Sequence, residues 1–257
     1  MNYTVYTTAQ NEAALDSFVR SPVSRDMISY LATKASEVVS CDGPTEKLPP
    51  IEAFIISLVE QSNVQVPTLM SSLVYLARLK ARLPPVAKGM RSAVHRILLA
   101  SLILSAKNLN DCSPKNESWA HYSVVRDYED FNFSIDEVNL MEKQLLSLLD
   151  WDVRIRPEDL YLHFDPFLEP IRQYLMRLSL LKCRSRDALC RGEEARGRAL
   201  LCCTINQKRS GSPFSRASTR TPSLTSPLLI ALLVHKTTHL YLQLHPQTRQ
   251  KLLFVVN

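Results

Sequence analysis

Residues 94–106, VHRILLASLILSA, are apolar on nearly every side, and this run constrains the fold more than any other part of the chain. A helix with one apolar stripe can lie on a surface, whereas one apolar almost all round must be enclosed by others. Val94, Ile97, Leu98, Leu99, Leu102, Ile103 and Leu104 are interleaved with the small Ala100, Ser101, Ser105 and Ala106, which let neighbouring helices come close. The periodicity predicts a helix over 92–108 at the centre of a bundle, ending on a charge, Lys107. By position alone Lys107 is a helix-end cation, favourable to the last carbonyls and to the helix dipole.

Amphipathic helices are expected around it. A first runs over 25–39, with Ser24 as N-cap and Met27, Ile28, Leu31, Ala35, Val38 and Val39 on one stripe. CDGPTEKLPP at 41–50 stops it, and a second helix over 51–61 presents Ile51, Phe54, Ile55, Leu58 and Val59. A third begins near Pro67, carries Leu69, Leu73, Leu76, Leu79 and Leu83, and is halted by Pro84-Pro85. After the central helix comes a short one around 119–125 and an acidic loop, RDYED. Ser134-Ile135-Asp136-Glu137 then fits a capping box that opens a helix with Val138, Met141, Leu145, Leu148 and Leu149 on its stripe. Residues 156–178 read as helical pieces interrupted at Pro166 and Pro170. No stretch alternates apolar and polar residues long enough for a strand, so the class is all-α.

Charge divides the chain. Residues 1–169 hold 16 Lys and Arg against 22 Asp and Glu, while 170–257 hold 15 against 3. An acidic body is thus followed by a basic tail, and KRSGSPFSRASTRTPSLTSP within it has too little apolar surface to offset the entropy of ordering. The expected organisation is a flexible N-terminus over 1–23, a domain over 24–178, and a disordered tail over 179–257. So abrupt a change of composition is also what departure from the native reading frame would produce.

Several function classes lose support. With 5 glycines and no G-x-G-x-x-G or G-x-x-x-x-G-K-[ST] pattern, nothing cradles a nucleotide phosphate. The six cysteines form no C-x-x-C pair, and no His stands at zinc-ligand spacing, so free thiols and no metal or other cofactor are expected. The opening residues lack a signal-peptide pattern, and the apolar run 227–234 is far shorter than a membrane span. An intracellular protein, in nucleus and cytoplasm, is expected. His95, Asp111 and Cys112 could be imagined as a nucleophile set, but nothing in the sequence makes them converge.

Glu142 is harder to dismiss, because it borders the apolar stripe of its helix with no cation one turn away. It and Lys107 could form an internal ion pair, or they could face a partner. The basic run Arg78, Lys80, Arg82, Lys88, Arg91 and Arg96, with no acid between Glu60 and Asp111, reads as a solvated face or as a docking surface for acidic groups. Ser-Pro and Thr-Pro pairs at Ser21, Ser113, Ser212, Thr221 and Ser226 are candidate kinase substrates, although turn chemistry alone accounts for most of them.

The stretches SRDMISYLATKASEVV, LPPIEAFIISLVEQSNVQVPTLMSSLVYLARLKARLPPVAKGM, HRILLASLILSAKNLNDCSPKN and NFSIDEVNLMEKQLLSLLDWDVRI occur in an order that resembles the cyclin box, and among cyclins the fungal PCL class. The resemblance covers about residues 20–175. It implies a single five-helix box with flanking helices and no second box. It also implies a non-catalytic partner of a cyclin-dependent Ser/Thr kinase, the one first known from phosphate regulation in yeast, with a hand in selecting that kinase's substrates. Carried onto this chain, the family's kinase-contacting lysine and glutamate are Lys107 and Glu142. A nucleic-acid-binding adaptor is the competing expectation, since the cyclin-box fold also serves such proteins and the tail is basic; the acidic body speaks against it.

Overall fold

The computed structural model describes residues 6–41, 48–84, 87–128 and 130–182. What was expected of 183–257, including disorder and four of the cysteines, lies outside the described residues. The rest is helical: α1 (Thr8–Val19), α2 (Arg25–Ser36), α3 (Ile51–Ser62), α4 (Val66–Arg82), α5 (Ala93–Leu109), α6 (Asn116–Tyr122), α7 (Ile135–Leu148), α8 (Pro157–His163) and α9 over 165–182.

As its composition requires, α5 stands at the centre, packed between α4 and α7 and touching α2 and α3. Twelve of its residues are buried, Ser101 and Ser105 included. Each surrounding helix turns its apolar stripe inward: Phe54, Ile55 and Leu58 from α3, Leu69, Leu73, Leu76 and Leu79 from α4, Val138, Met141 and Leu145 from α7. The helix starts follow local chemistry. Ser134 Oγ accepts from the Glu137 amide at 3.3 Å while the Glu137 carboxylate accepts from the Ser134 amide at 2.9 Å, the reciprocal pair that the sequence promised. Pro67 opens α4, where a missing N–H costs nothing.

Three expectations are corrected. The N-terminal 23 residues are not a flexible arm over 8–19: α1 starts on a capping box of Thr7 and Gln10 and buries Ala14, Leu15, Phe18 and Val19. Its Phe18 ring lies 5.5 Å from that of Phe164 and 5.4 Å from that of Phe167. At the other end the chain bends at Phe164, the cap of α8, and not at the prolines. Pro166 sits in the first turn of α9, and exposed Pro170 removes only one bond of the helical ladder. A strand pair also exists, though a minimal one: β1 (Ser40–Cys41) runs parallel to β2 (Lys88–Gly89), with Ser40 opposite Lys88 and Cys41 opposite Gly89.

Gly89 is what allows β2 to sit there. A Cβ at this position would lie 2.6 Å from Ala93 Cβ and 3.2 Å from a Val39 methyl, and neither group can swing away. Gly89→Ala is therefore expected to destabilise by about 1–3 kcal/mol, the usual cost of overpacking, read as a lower urea midpoint at unchanged slope.

α7 ends in two consecutive left-handed residues, Asp150 (φ 50) and Trp151 (φ 61), neither of them glycine. The strain is held by the Trp151 amide donating to the Leu146 carbonyl at 2.9 Å and by the segment that follows. There the Tyr75 hydroxyl donates to the Val153 carbonyl at 2.9 Å. Arg78 donates to the carbonyls of Asp152 at 2.8 Å and Arg154 at 2.7 Å, and to the Asp159 carboxylate at 2.8 Å. Residues 152–159 are thereby pinned to α4.

Candidate functional site

Lys107 is the first exposed residue after the buried run of α5, and Glu142 lies on the edge of α7 that faces it. The structure brings the two together. Lys107 Nζ donates to both carboxylate oxygens of Glu142, each at 2.7 Å. The Lys107 side chain is 37% exposed and that of Glu142 15%, so the pair is neither sealed in the core nor loose in water.

Two residues that sequence reasoning did not single out complete the arrangement. Asn116, at the start of α6, donates from Nδ2 to Glu142 Oε2 at 2.6 Å and to Asn139 Oδ1 at 2.8 Å. Asn139 precedes Glu142 by three residues and so shares its helical face, a spacing visible in the sequence. Asn116 could not have been found that way, because the loop before α6 sets its position. The Glu142 carboxylate thus ties α5, α6 and α7 at one point. Beside it lies an open depression of about 390 Å³ lined by Lys107, Ser113, Lys115, Asn116, Ile135 and Asn139, with Glu117 also on its wall. Ile135 contributes an apolar surface there, 45% exposed. Two lysines, two amides and an exposed isoleucine around a shallow floor suit a protein surface better than a small substrate.

The basic run does not form one docking face. Besides the Arg78 contacts already described, Lys80 pairs with Glu37 at 3.0 Å and Arg82 with Asp152 at 3.5 Å. Arg96 pairs with Glu137 and stacks over the Phe133 ring. The missing acids come from distant parts of the sequence. Lys80 and Lys34 together hold the Glu37 carboxyl below the usual range.

The imagined nucleophile set is not assembled. His95 stands near the start of α5, whereas Asp111 and Cys112 lie just beyond its end, roughly 24 Å along the axis at 1.5 Å per residue. His95 is buried among Phe54 and Phe131, with Nε2 2.8 Å from the Pro49 carbonyl oxygen. Burial pushes its pKa below the ordinary 6.5, opposed by the Pro49 bond. A His that resists protonation only when folded contributes stability that is complete above pH 6.5 and is lost as the pH falls towards its folded pKa. His163, depressed mainly by burial, adds in the same sense. Unfolding free energy is accordingly expected to drop between pH 7 and 5.5, by at most about 1.4 kcal/mol per pH unit for each group. His95→Phe should remove its share of that slope in denaturant titrations.

Among the described residues no group of three or more His, Cys, Asp or Glu could hold a metal ion, and no helix is long and apolar enough to cross a membrane. Cys41 and Cys112 are free thiols.

Five successive helices, α3 to α7, whose enclosed third member ends on a lysine held by a glutamate of the fifth, define a cyclin box, with α1, α2, α8 and α9 as flanking helices. Residues 45–154 match the cyclin N-terminal domain family. Beyond that stretch the chain is similar to fungal cyclins of the PCL class. It is 45% identical over 177 residues to PHO85 cyclin-1 of Saccharomyces cerevisiae, a match covering 65% of this chain and 61% of that protein. PHO85 cyclin-2 of the same yeast is 39% identical over 181 residues, covering 68% and 57%. Cyclin-U4-1 of Arabidopsis thaliana is 25% identical over 166 residues, covering 65% and 77%. The chain thus spans about three fifths of the length of the two yeast relatives.

Proposed function

We propose that the chain is a non-catalytic regulatory subunit that binds and activates a cyclin-dependent Ser/Thr kinase of the PHO85 type, helps select that kinase's substrates, and works in nucleus and cytoplasm. The observation that carries this reading is the Lys107–Glu142 pair, anchored by Asn116 and set beside an open depression at the box surface. Similarity to yeast proteins named as PHO85 cyclins supports the choice of partner.

The physical task is positional. A protein kinase transfers phosphoryl groups only when a glutamate of its αC helix pairs with the lysine of its β3 strand. A cyclin that binds the αC-in state better than the αC-out state shifts the population towards it without performing chemistry. To move that equilibrium from 1:99 to 99:1 the preference must be about 10⁴-fold, or about 5.5 kcal/mol. That magnitude calls for a contact surface larger than one ion pair, and the depression with Ile135 supplies an apolar part of it.

Reconstitution tests the reading. Adding the purified chain to the isolated kinase is expected to raise phosphorylation of a Ser-Pro peptide by at least a hundredfold. No stimulation by a folded chain at saturating concentration would overturn it. The nucleic-acid alternative gains nothing from the described face, whose basic side chains are largely engaged with carboxylates.

A further inference from the structure

Resting on the kinase-subunit reading, we propose that Ser113 is a phosphorylation site for a proline-directed kinase, and that a phosphate there draws Lys107 away from Glu142 and weakens binding of the kinase partner. The Ser-Pro and Thr-Pro pairs are not equivalent in the structure. Ser21 Oγ donates to the Phe18 carbonyl at 2.7 Å and is occupied in the turn between α1 and α2. Ser212, Thr221 and Ser226 lie outside the described residues. Ser113 is different: it sits half-buried in the irregular link between α5 and α6 and lines the depression beside the ion pair. Among the described residues its hydroxyl has no hydrogen-bond partner, and nothing structural is lost when it reacts.

Local backbone suits a kinase cleft. Residues 113–115 belong to no helix or strand, and Lys115 is extended at φ −71, ψ 162. Pro114 cannot enter a helical ladder with what precedes it, and the link can lift away without unwinding α5. In the reaction Ser113 Oγ attacks the γ-phosphorus of a nucleoside triphosphate held by the kinase. The hydroxyl proton passes to the kinase's carboxylate base, the bond from phosphorus to the β,γ-bridging oxygen breaks, and the nucleoside diphosphate leaves.

The product changes the charge balance of the depression. A phosphoserine carries about −1.5 to −2 and three acceptor oxygens, against the single charge of Glu142. Two cations, Lys107 and Lys115, line the depression with one carboxylate, Glu117. Lys107 is 37% exposed and on a flexible stem, so its ammonium can transfer to the stronger anion. Glu142 would keep only the Asn116 amide, and the surface offered to the partner would be a phosphate where it had been a closed ion pair. Because the partner would cover this depression, the free subunit is the form that is modified, and modification gates assembly.

The purified full chain is treated with a cyclin-dependent kinase complex and ATP, alongside Ser113→Ala, and the phosphate is located by mass spectrometry. In the phosphorylated chain, ³¹P titration is expected to place the second phosphate pKa below its ordinary value of about 6, and Lys107→Met should raise it again. Affinity for the kinase partner should fall about tenfold on phosphorylation, while the affinity of Ser113→Ala, whatever its starting value, is the same before and after kinase treatment. Three results would each overturn the proposal: no phosphate on Ser113 while a Ser-Pro reporter peptide is modified, a phosphate pKa indifferent to Lys107→Met, or unchanged affinity. Failure of the unmodified chain to bind the kinase would instead sink the regulatory-subunit reading, and the ³¹P titration would still decide whether the phosphate engages Lys107.

Discussion

Replacing both Lys107 and Glu142 with alanine is expected to leave a folded chain that no longer activates the kinase, with affinity lowered roughly 30- to 1000-fold. The expectation comes from setting two magnitudes side by side. Within the chain the pair is partly exposed, and such ion pairs contribute about 1 kcal/mol or less to stability. The double mutant also leaves neither charge stranded. Across an interface, loss of hydrogen-bonded charged groups that become desolvated on binding costs about 2–4 kcal/mol, which is the stated range of affinity. Circular dichroism should show the helical content kept and the melting temperature lowered by only a few degrees. Kinase assays and binding isotherms then read the interface alone, and wild-type activation by the folded double mutant would exclude these two residues from it.

Arg78→Met should have the opposite profile, a large loss of stability with no direct effect on the kinase contact. The guanidinium is 16% exposed and holds two backbone carbonyls and the Asp159 carboxylate, with Asp152 at 3.5 Å. Removing it leaves the two carbonyls without this donor, while Asp159 keeps the Arg156 amide and Asp152 keeps Arg82. Breaking a buried pair costs about 3–5 kcal/mol, and the partial exposure of Asp152 and Asp159 lowers the expectation here to about 2–4. Against a total stability of about 5–15 kcal/mol, much of the margin goes. Arg78→Lys should not restore it, because one ammonium cannot reproduce a planar fork with several donors at fixed angles. A urea midpoint within error of wild type would show that the 152–159 segment is held by packing instead.

What the sequence revealed depended on whether the signal was local. The enclosed α5 was legible because thirteen nearly unbroken apolar and small residues admit no other placement, and the Ser134–Glu137 capping box because its partners are three residues apart. Lys107 and Glu142 stood out as charges on apolar borders, and their direct contact was one of two readings left open. The fate of the basic run was not legible, since Glu37, Glu137, Asp152 and Asp159 reach it only after folding. For the same reason Asn116 was missed. α1 escaped notice because half of its apolar residues are alanines and its large ones, Leu15, Phe18 and Val19, are confined to its second half. The prolines of α9 misled because their effect depends on position: a first-turn proline forbids nothing, and one at an exposed site removes a single bond.

The docking of α1 bears on how the chain is made. Tyr6 donates to Glu169 at 2.7 Å across 163 residues of sequence, and Arg172 lies over the Tyr6 ring. A ribosome releases α1 before the box, but the aromatic and charged groups that receive it at the end of α8 and on α9 emerge only after the box has been translated. Through most of synthesis Phe18 has no Phe164 or Phe167 to meet. Until they emerge, α1 has α4 to pack on but not its aromatic partners, so the contact that joins the two ends of the domain is among the last that the emerging chain can close.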